Sequence, residues 1–178
     1  MMQDSEMNTI EPLISQDEIK TEIARVARQI DAEYQGEKII LVIVMKGAIC
    51  LAADLIRELQ TPCAIEFVKA SSYGHRGTER GELKILGLDA LDLSAKHVIL
   101  VDDIFDSGET LSQIKAKIQD MKPKTLKSMV LLAKNVKRDV SYTPEYVLFS
   151  IENKFVVGFG LDYKEHYRGL PGVFIFRE

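Results

Sequence analysis

Runs that stay apolar through consecutive positions, "IILVIVM" at 39–45 and "VILV" at 98–101, recur between stretches of helical periodicity. Nothing else in the chain restricts its fold as much. A strand with one wet face alternates polar and apolar side chains. A strand apolar throughout must be covered on both faces, which is the condition inside a parallel sheet.

The intervening segments supply that cover. Ser15 and Glu18 form a capping box ahead of a stripe of Ile19, Ile23, Val26 and Ile30, and Gly36 supplies a stop. "KIILVIVM" (38–45) then leads into a second helix, "AICLAADLIREL" (48–59), and "CAIEFVKA" (63–70) alternates like a strand. Residues 71–81, "SSYGHRGTERG", are Gly-rich and charged without apolar periodicity, and read as a mobile surface loop. Leu111, Ile114, Ile118 and Met121 share one face of a third helix that ends at Pro123. "LKSMVLLA" (126–133), "EYVLFS" (145–150) and "KFVVGFG" (154–160) are further strands. No repeat or linker divides the chain. The fold class is therefore α/β, a mostly parallel central sheet flanked by helices in one domain over 1–178.

Composition removes several functional classes. A net charge of −4 gives no general basic field for nucleic acid. The longest apolar run is far too short to span a bilayer, so no membrane partner is expected. The opening "MMQDSEMN" has acids and no apolar core, unlike a signal peptide. Cys50 and Cys63 form no CxxC motif and are expected to stay reduced, which suits a cytoplasmic protein. His75, His97 and His166 lack metal-ligand spacing and read as surface or loop residues.

The chemistry should lie in "HVILVDDIFDSGET" (97–110), where a buried strand runs into Asp102 and Asp103, followed by Asp106, Ser107, Gly108 and Thr110. In open α/β sheets, ligands bind outside the carboxyl ends of the strands. A Ser/Gly/Thr turn entering a helix offers N–H groups and the positive end of the dipole to a phosphate. Adjacent carboxylates near a phosphate suit Mg²⁺ or ribose hydroxyls. The bland alternative for Asp106–Thr110 is simple helix capping.

"VILVDDIFDSGET" resembles the 5-phosphoribosyl-1-pyrophosphate (PRPP) signature of type I phosphoribosyltransferases. "VMKGA" (44–48), "KASSYG" (69–74), "LLAKN" (131–135) and "KFVVGFGLDYKEHYRGLP" (154–171) narrow the resemblance to the hypoxanthine-guanine phosphoribosyltransferases. It spans about residues 10 to 176, in the family's order and spacing. The implied fold is the type I phosphoribosyltransferase fold, with a small hood over the purine site from the N-terminal segment and about 150–178. The implied activity is purine salvage: Mg²⁺-dependent transfer of the phosphoribosyl group from PRPP to hypoxanthine or guanine.

Residue roles follow from the resemblance. Asp102 and Asp103 match the acids that engage the ribose hydroxyls and Mg²⁺. Asp106, Ser107, Gly108, Glu109 and Thr110 match the 5′-phosphate loop, with Asp106 also the proton acceptor near purine N7. Lys46–Gly47 and Arg168 match pyrophosphate contacts. Lys134 matches the lysine that donates to O6 of the base, Phe155 the ring that stacks on it, and Val156 a backbone contact at its far edge. Asp162 matches an acid near the base and a second metal. Ser72–Tyr73 match a pair on a loop that closes over the site. Read without the resemblance, Phe155 and Val156 would be core strand residues and Lys134 a strand-end charge.

Departures from the family pattern are small. Asp102–Asp103 replace a frequent Glu-Asp pair, Ser107 replaces a frequent Thr, and Glu109 adds an acid whose side chain is expected to face solvent. A non-catalytic regulator on the same scaffold would be expected to lack Lys134, Phe155 and Asp162. A phosphoacceptor receiver domain would need its acid pair after the first strand. The resemblance also implies a homodimer or homotetramer.

Overall fold

The computed structural model of the chain describes residues 9–72 and 83–177. Its elements run β1 (Thr9–Ile14), α1 (Gln16–Glu33), β2 (Ile39–Met45), α2 (Ile49–Glu58), β3 (Cys63–Ser72) and β4 (Leu83–Leu86). A 3₁₀ turn, Leu88–Ala90, precedes β5 (His97–Phe105), α3 (Glu109–Asp120), β6 (Thr125–Lys134), β7 (Tyr146–Ile151), β8 (Val156–Val157) and β9 (Val173–Arg177).

Six strands form the central sheet in the order β4-β3-β2-β5-β6-β7. All neighbours are parallel except β4, which runs antiparallel to β3 at the edge. The all-apolar runs β2 and β5 occupy the middle, where alternate residues meet different layers. Leu41, Ile43, Ile99 and Val101 pack with α1 and α2, while Val42, Val44, Val98 and Leu100 pack with α3 and the 3₁₀ turn. The α1 stripe of Ile19, Ile23, Val26 and Ile30 is fully buried. Removing one such Ile side chain would cost about 2–5 kcal/mol. The Ser15–Glu18 capping box is formed in both directions.

A second, three-stranded antiparallel sheet has the order β1-β9-β8. It joins opposite ends of the chain, with Thr9 opposite Arg177 and an ion pair of 2.7 Å between Glu11 and Arg177. Within "KFVVGFG" only Val156–Val157 is strand, and it belongs to this small sheet. The sequence reading of 154–160 as one further strand is corrected accordingly. The expected loop at 71–81 is corrected at its start, because Ser71 and Ser72 still belong to β3 and pair with Lys84 and Leu83. The rest of that loop, Tyr73 included, lies outside the described residues. His97 is not a surface residue: its ring lies edge-on to Tyr34, with Nδ1 2.9 Å from Thr125 Oγ1. No helix among the described residues is long and apolar enough to cross a membrane.

This topology fixes where a ligand can sit. After β2 the chain moves through α2 to β3 on one side; after β5 it moves through α3 to β6 on the other. The two adjacent strands thus send their connections in opposite directions and leave a crevice beyond their carboxyl ends.

Candidate active site

A cavity of about 480 Å³ occupies that crevice. Ten residues singled out from the sequence line it: Lys46, Gly47, Asp102, Asp103, Asp106, Ser107, Gly108, Thr110, Asp162 and Arg168. Four do not. Glu109 is exposed, Val156 is buried, Lys134 reaches the cavity only through Asp106, and Phe155 stands outside it.

Asp102 lies inside β5, three residues before its end, as a buried side chain with Asp103 next to it. The Asp103 N–H donates to Asp102 Oδ1 and the Ile104 N–H to Asp103 Oδ1, each at 2.9 Å. Burial pushes the Asp102 carboxyl well above the usual carboxylate range, and repulsion from Asp103 adds to it. Burial also raises Asp103, against the pull of backbone N–H groups and of Arg168. Two adjoining acids short of positive charge form a site that a cation would complete. No three His, Cys, Asp or Glu side chains gather as a metal cage among the described residues. Asp162 therefore does not join Asp102 and Asp103 in one cage. That donor set still fits Mg²⁺, which commonly takes one or two carboxylates and completes its shell with water and substrate oxygens.

Gly47 is required by Asp103. A Cβ at position 47 would collide with the Asp103 carboxylate, so the turn after β2 can approach the acids only as glycine. The Met45–Lys46 peptide leading into it is cis.

The loop 106–108 enters α3 through Gly108, which has φ +80 and makes no side-chain cap. Part of the capping alternative is met, since Ser107 Oγ accepts from the Glu109 N–H at 3.3 Å, while the Asp106 carboxylate accepts from Lys134 rather than from the helix. The first turn of α3 lines the cavity through Thr110 and Leu111, and N–H groups at such a turn suit an anion.

Asp106 instead meets Lys134. Lys134 ends β6 as a buried lysine and donates from Nζ to Asp106 Oδ2 at 2.9 Å. The Asp106 side chain is half exposed while that of Lys134 is 10% exposed, so the pair links cavity to interior. Phe155 is 52% exposed, against its reading as a core residue, and lies edge-on to Tyr163 and Phe176. Val156, 5% exposed, does belong to the core.

The far wall is a charge network. Arg168 pairs with Asp162 Oδ1 at 2.9 Å and donates from Nη1 to the Gly160 carbonyl at 2.7 Å. Its Nε is buried without a partner, leaving an unmatched donor at the wall. Asp162 Oδ2 accepts from the Glu165 N–H at 2.8 Å. Glu165, which the sequence reading passed over, reaches Lys46 Nζ at 2.8 Å and Arg168 Nη2 at 3.4 Å. The Lys46 hydrogen bond holds the Glu165 carboxyl below its ordinary range. One carboxylate thus spans both cations assigned to pyrophosphate. Arg138 was missed as well: its guanidinium donates to the backbone carbonyls of Phe105, Asp106 and Lys134. A single Glu or Arg in a charged loop carries no periodic signal that could have marked either.

A parallel sheet with buried acids at its switch point is the architecture expected of a phosphoribosyltransferase. The family model described as "Phosphoribosyl transferase domain" matches residues 15–164, and the chain belongs to that family. Within it, the chain is 41% identical to the hypoxanthine phosphoribosyltransferase of Salmonella typhimurium, over 93% of this chain and 94% of that one. It is 36% identical to the hypoxanthine-guanine phosphoribosyltransferase of Aquifex aeolicus, with the same coverage of each chain. A crystal structure of a hypoxanthine-guanine phosphoribosyltransferase from Bacillus anthracis is similar with a TM-score of 0.87. It shares 38% identity over 96% of this chain and 99% of that one.

Proposed function

We propose that the protein transfers the 5-phosphoribosyl group of PRPP to hypoxanthine or guanine, giving IMP or GMP and pyrophosphate, as a purine salvage enzyme of the cytoplasm. The observation that carries this reading is the Lys134–Asp106 pair at 2.9 Å beside the phosphate turn. A 6-oxopurine with a proton on N7 presents an acceptor and a donor side by side. Lys134 can donate to O6 while Asp106 accepts from N7, so the base would satisfy both groups as it separates them. A purine attacks well only after losing a ring proton, and a half-exposed carboxylate at that edge can receive it.

The remaining residues take the roles implied by resemblance. The 106–110 turn would hold the 5′-phosphate at the α3 N-terminus. Lys46, the Gly47 backbone and Arg168 would hold pyrophosphate, the guanidinium fork matching its oxygens. Phe155 would stack on the base, its exposed ring offering an apolar face. Asp102 and Asp103 would hold the ribose hydroxyls and Mg²⁺, with Asp162 at a second position. When bound, the metal neutralises charge on the departing pyrophosphate. The sheet β1-β9-β8 would form the hood of a single domain. An assembly of two or four copies belongs to the same proposal. Ile65 and Phe67, both exposed on one face of β3, offer a second copy an apolar surface.

Incubating the protein with PRPP, Mg²⁺ and hypoxanthine should release equal amounts of IMP and pyrophosphate. No pyrophosphate above a hypoxanthine-free control would overturn the proposal.

A further inference from the structure

Arg138 lies in the irregular segment between β6 and β7, far in sequence from the acids. Its Nε donates to the Asp106 carbonyl at 2.7 Å, and its Nη2 to the Phe105 carbonyl at 3.0 Å and to the Lys134 carbonyl. The guanidinium lies 4.5 Å above the Phe105 ring. No carboxylate among the described residues forms an ion pair with it. A partly buried cation is therefore committed entirely to backbone oxygens.

Those three oxygens explain why. The β5–β6 ladder ends at Phe105 opposite Ala133, so Asp106 lies just beyond it, while Lys134 forms the last pair of β6 with Ile151 of β7. The three carbonyls belong to the residues that present Asp106 on one strand end and Lys134 on the other. The planar fork sets these donors on two nitrogens, Nε and Nη2, at a fixed spacing, whereas the three donors of a lysine radiate from one nitrogen. The same segment braces the loop further along. Val140 packs where a Cβ on Gly108 would stand, and the Tyr142 ring lies edge-on to Phe105 with its hydroxyl 2.9 Å from Ser128 Oγ.

From this geometry we propose that Arg138 is a positioning residue for the transfer reaction. By clamping the backbone of Asp106 to that of Lys134, it sets the gap into which the O6–N7 edge of the purine fits. The inference rests on the proposed function. Without the clamp both side chains remain, but their spacing is no longer fixed, and a displacement of about 1 Å can lower a rate by about 10²-fold.

The test begins with wild-type turnover of PRPP and hypoxanthine. If that is absent, the functional proposal fails independently of Arg138. With the wild type active, Arg138→Ala should lose about 10²-fold in kcat/KM for hypoxanthine. It should also discriminate less sharply against adenine, a change that a general loss of stability would not produce. Millimolar ethylguanidinium should restore part of the rate, and ethylamine should not. A natively folded Arg138→Ala enzyme with wild-type kcat/KM and discrimination would overturn the proposal, as would equal rescue by both amines. Should the alanine variant not fold, Arg138→Lys keeps the charge and the stem but not the fork. It should show the same loss, and wild-type kcat/KM in it would overturn the clamp.

Discussion

Two groups of acids sit toward opposite ends of the central sheet, and they differ in what surrounds them. Near the amino ends of β6 and β7, Glu33 accepts from Lys127 and from the Tyr146 hydroxyl, the latter at 2.6 Å. Glu145 accepts from Lys115 at 2.7 Å and from Ser128, at 2.7 Å from N–H and 2.8 Å from the hydroxyl. Burial alone would raise both acids, but these donors outweigh it and hold them below their ordinary 4.5. At the carboxyl end, Asp102 and Asp103 have no comparable set of donors, and burial drives them the other way. Acids that are satisfied by the protein hold the fold together. Acids left short of positive charge hold a place for a ligand.

The comparison breaks most visibly if an acid at the carboxyl end proves dispensable. Asp106→Asn keeps the shape of the side chain and an acceptor for Lys134, so the protein should still fold, with a lowered thermal transition because the buried ammonium loses its counter-charge. It should lower kcat by about 10²–10⁴-fold, the usual contribution of a general base. Single-turnover rates near wild type, with chemistry rate-limiting, would remove Asp106 from that role.

Glu145→Gln should touch stability alone. Its carboxylate is about a third exposed, so the loss of its charged hydrogen bonds is discounted to about 1 kcal/mol, or ~2–4 °C in Tm for a chain of this size. Turnover should not change. The sign with pH follows from the depressed folded-state value. Stability from Glu145 is complete above 4.5 and is lost as pH falls through the lower value. Calorimetric melts from pH 6 to pH 3 should show wild type losing its advantage over Glu145→Gln in that acid window. An advantage that grows there would reverse the assignment.

The smallest effect concerns Glu165, an exposed acid placed between Lys46 and Arg168. Its pairs with Lys46 and Arg168 compete with any pyrophosphate that binds them. Glu165→Gln should lower the apparent KM for PRPP by about two- to fivefold, as expected for losing exposed pairs. A raised KM would show that Glu165 assists binding.

How much of this was legible in the sequence depended on how local each signal was. The apolar runs of β2 and β5 announced a buried parallel sheet, and the α1 stripe with its capping box was readable because both patterns repeat within a few residues. β1 was not readable: "TIEPLI" carries Pro12, and the strand exists only because β9, at the other end of the chain, pairs with it. β8 has two residues and β4 four, too few for a period to develop. The acid-rich loop stood out as chemistry in its own right. Lys134, Phe155, Val156 and Asp162 came only through resemblance, since a lysine at a strand end looks like any surface charge. Phe155 shows the limit of pattern most plainly, because an aromatic beside a strand read as core and is half exposed. Arg138 and Glu165 act through backbone carbonyls and through distant cations, neither of which leaves a trace in spacing.

The proposed function has Lys134 and Asp106, at the carboxyl end of the sheet, read a 6-oxopurine against PRPP. Its most direct test is pyrophosphate release by the wild type at fixed PRPP and Mg²⁺, with hypoxanthine and then adenine as the base. Adenine would set its 6-amino donor against the buried Lys134 ammonium, and a site built for one hydrogen-bonding group can reject an analogue lacking it by about 10⁴-fold or more. The predicted result is rapid release with hypoxanthine and essentially none with adenine. Comparable turnover of the two bases would contradict the account.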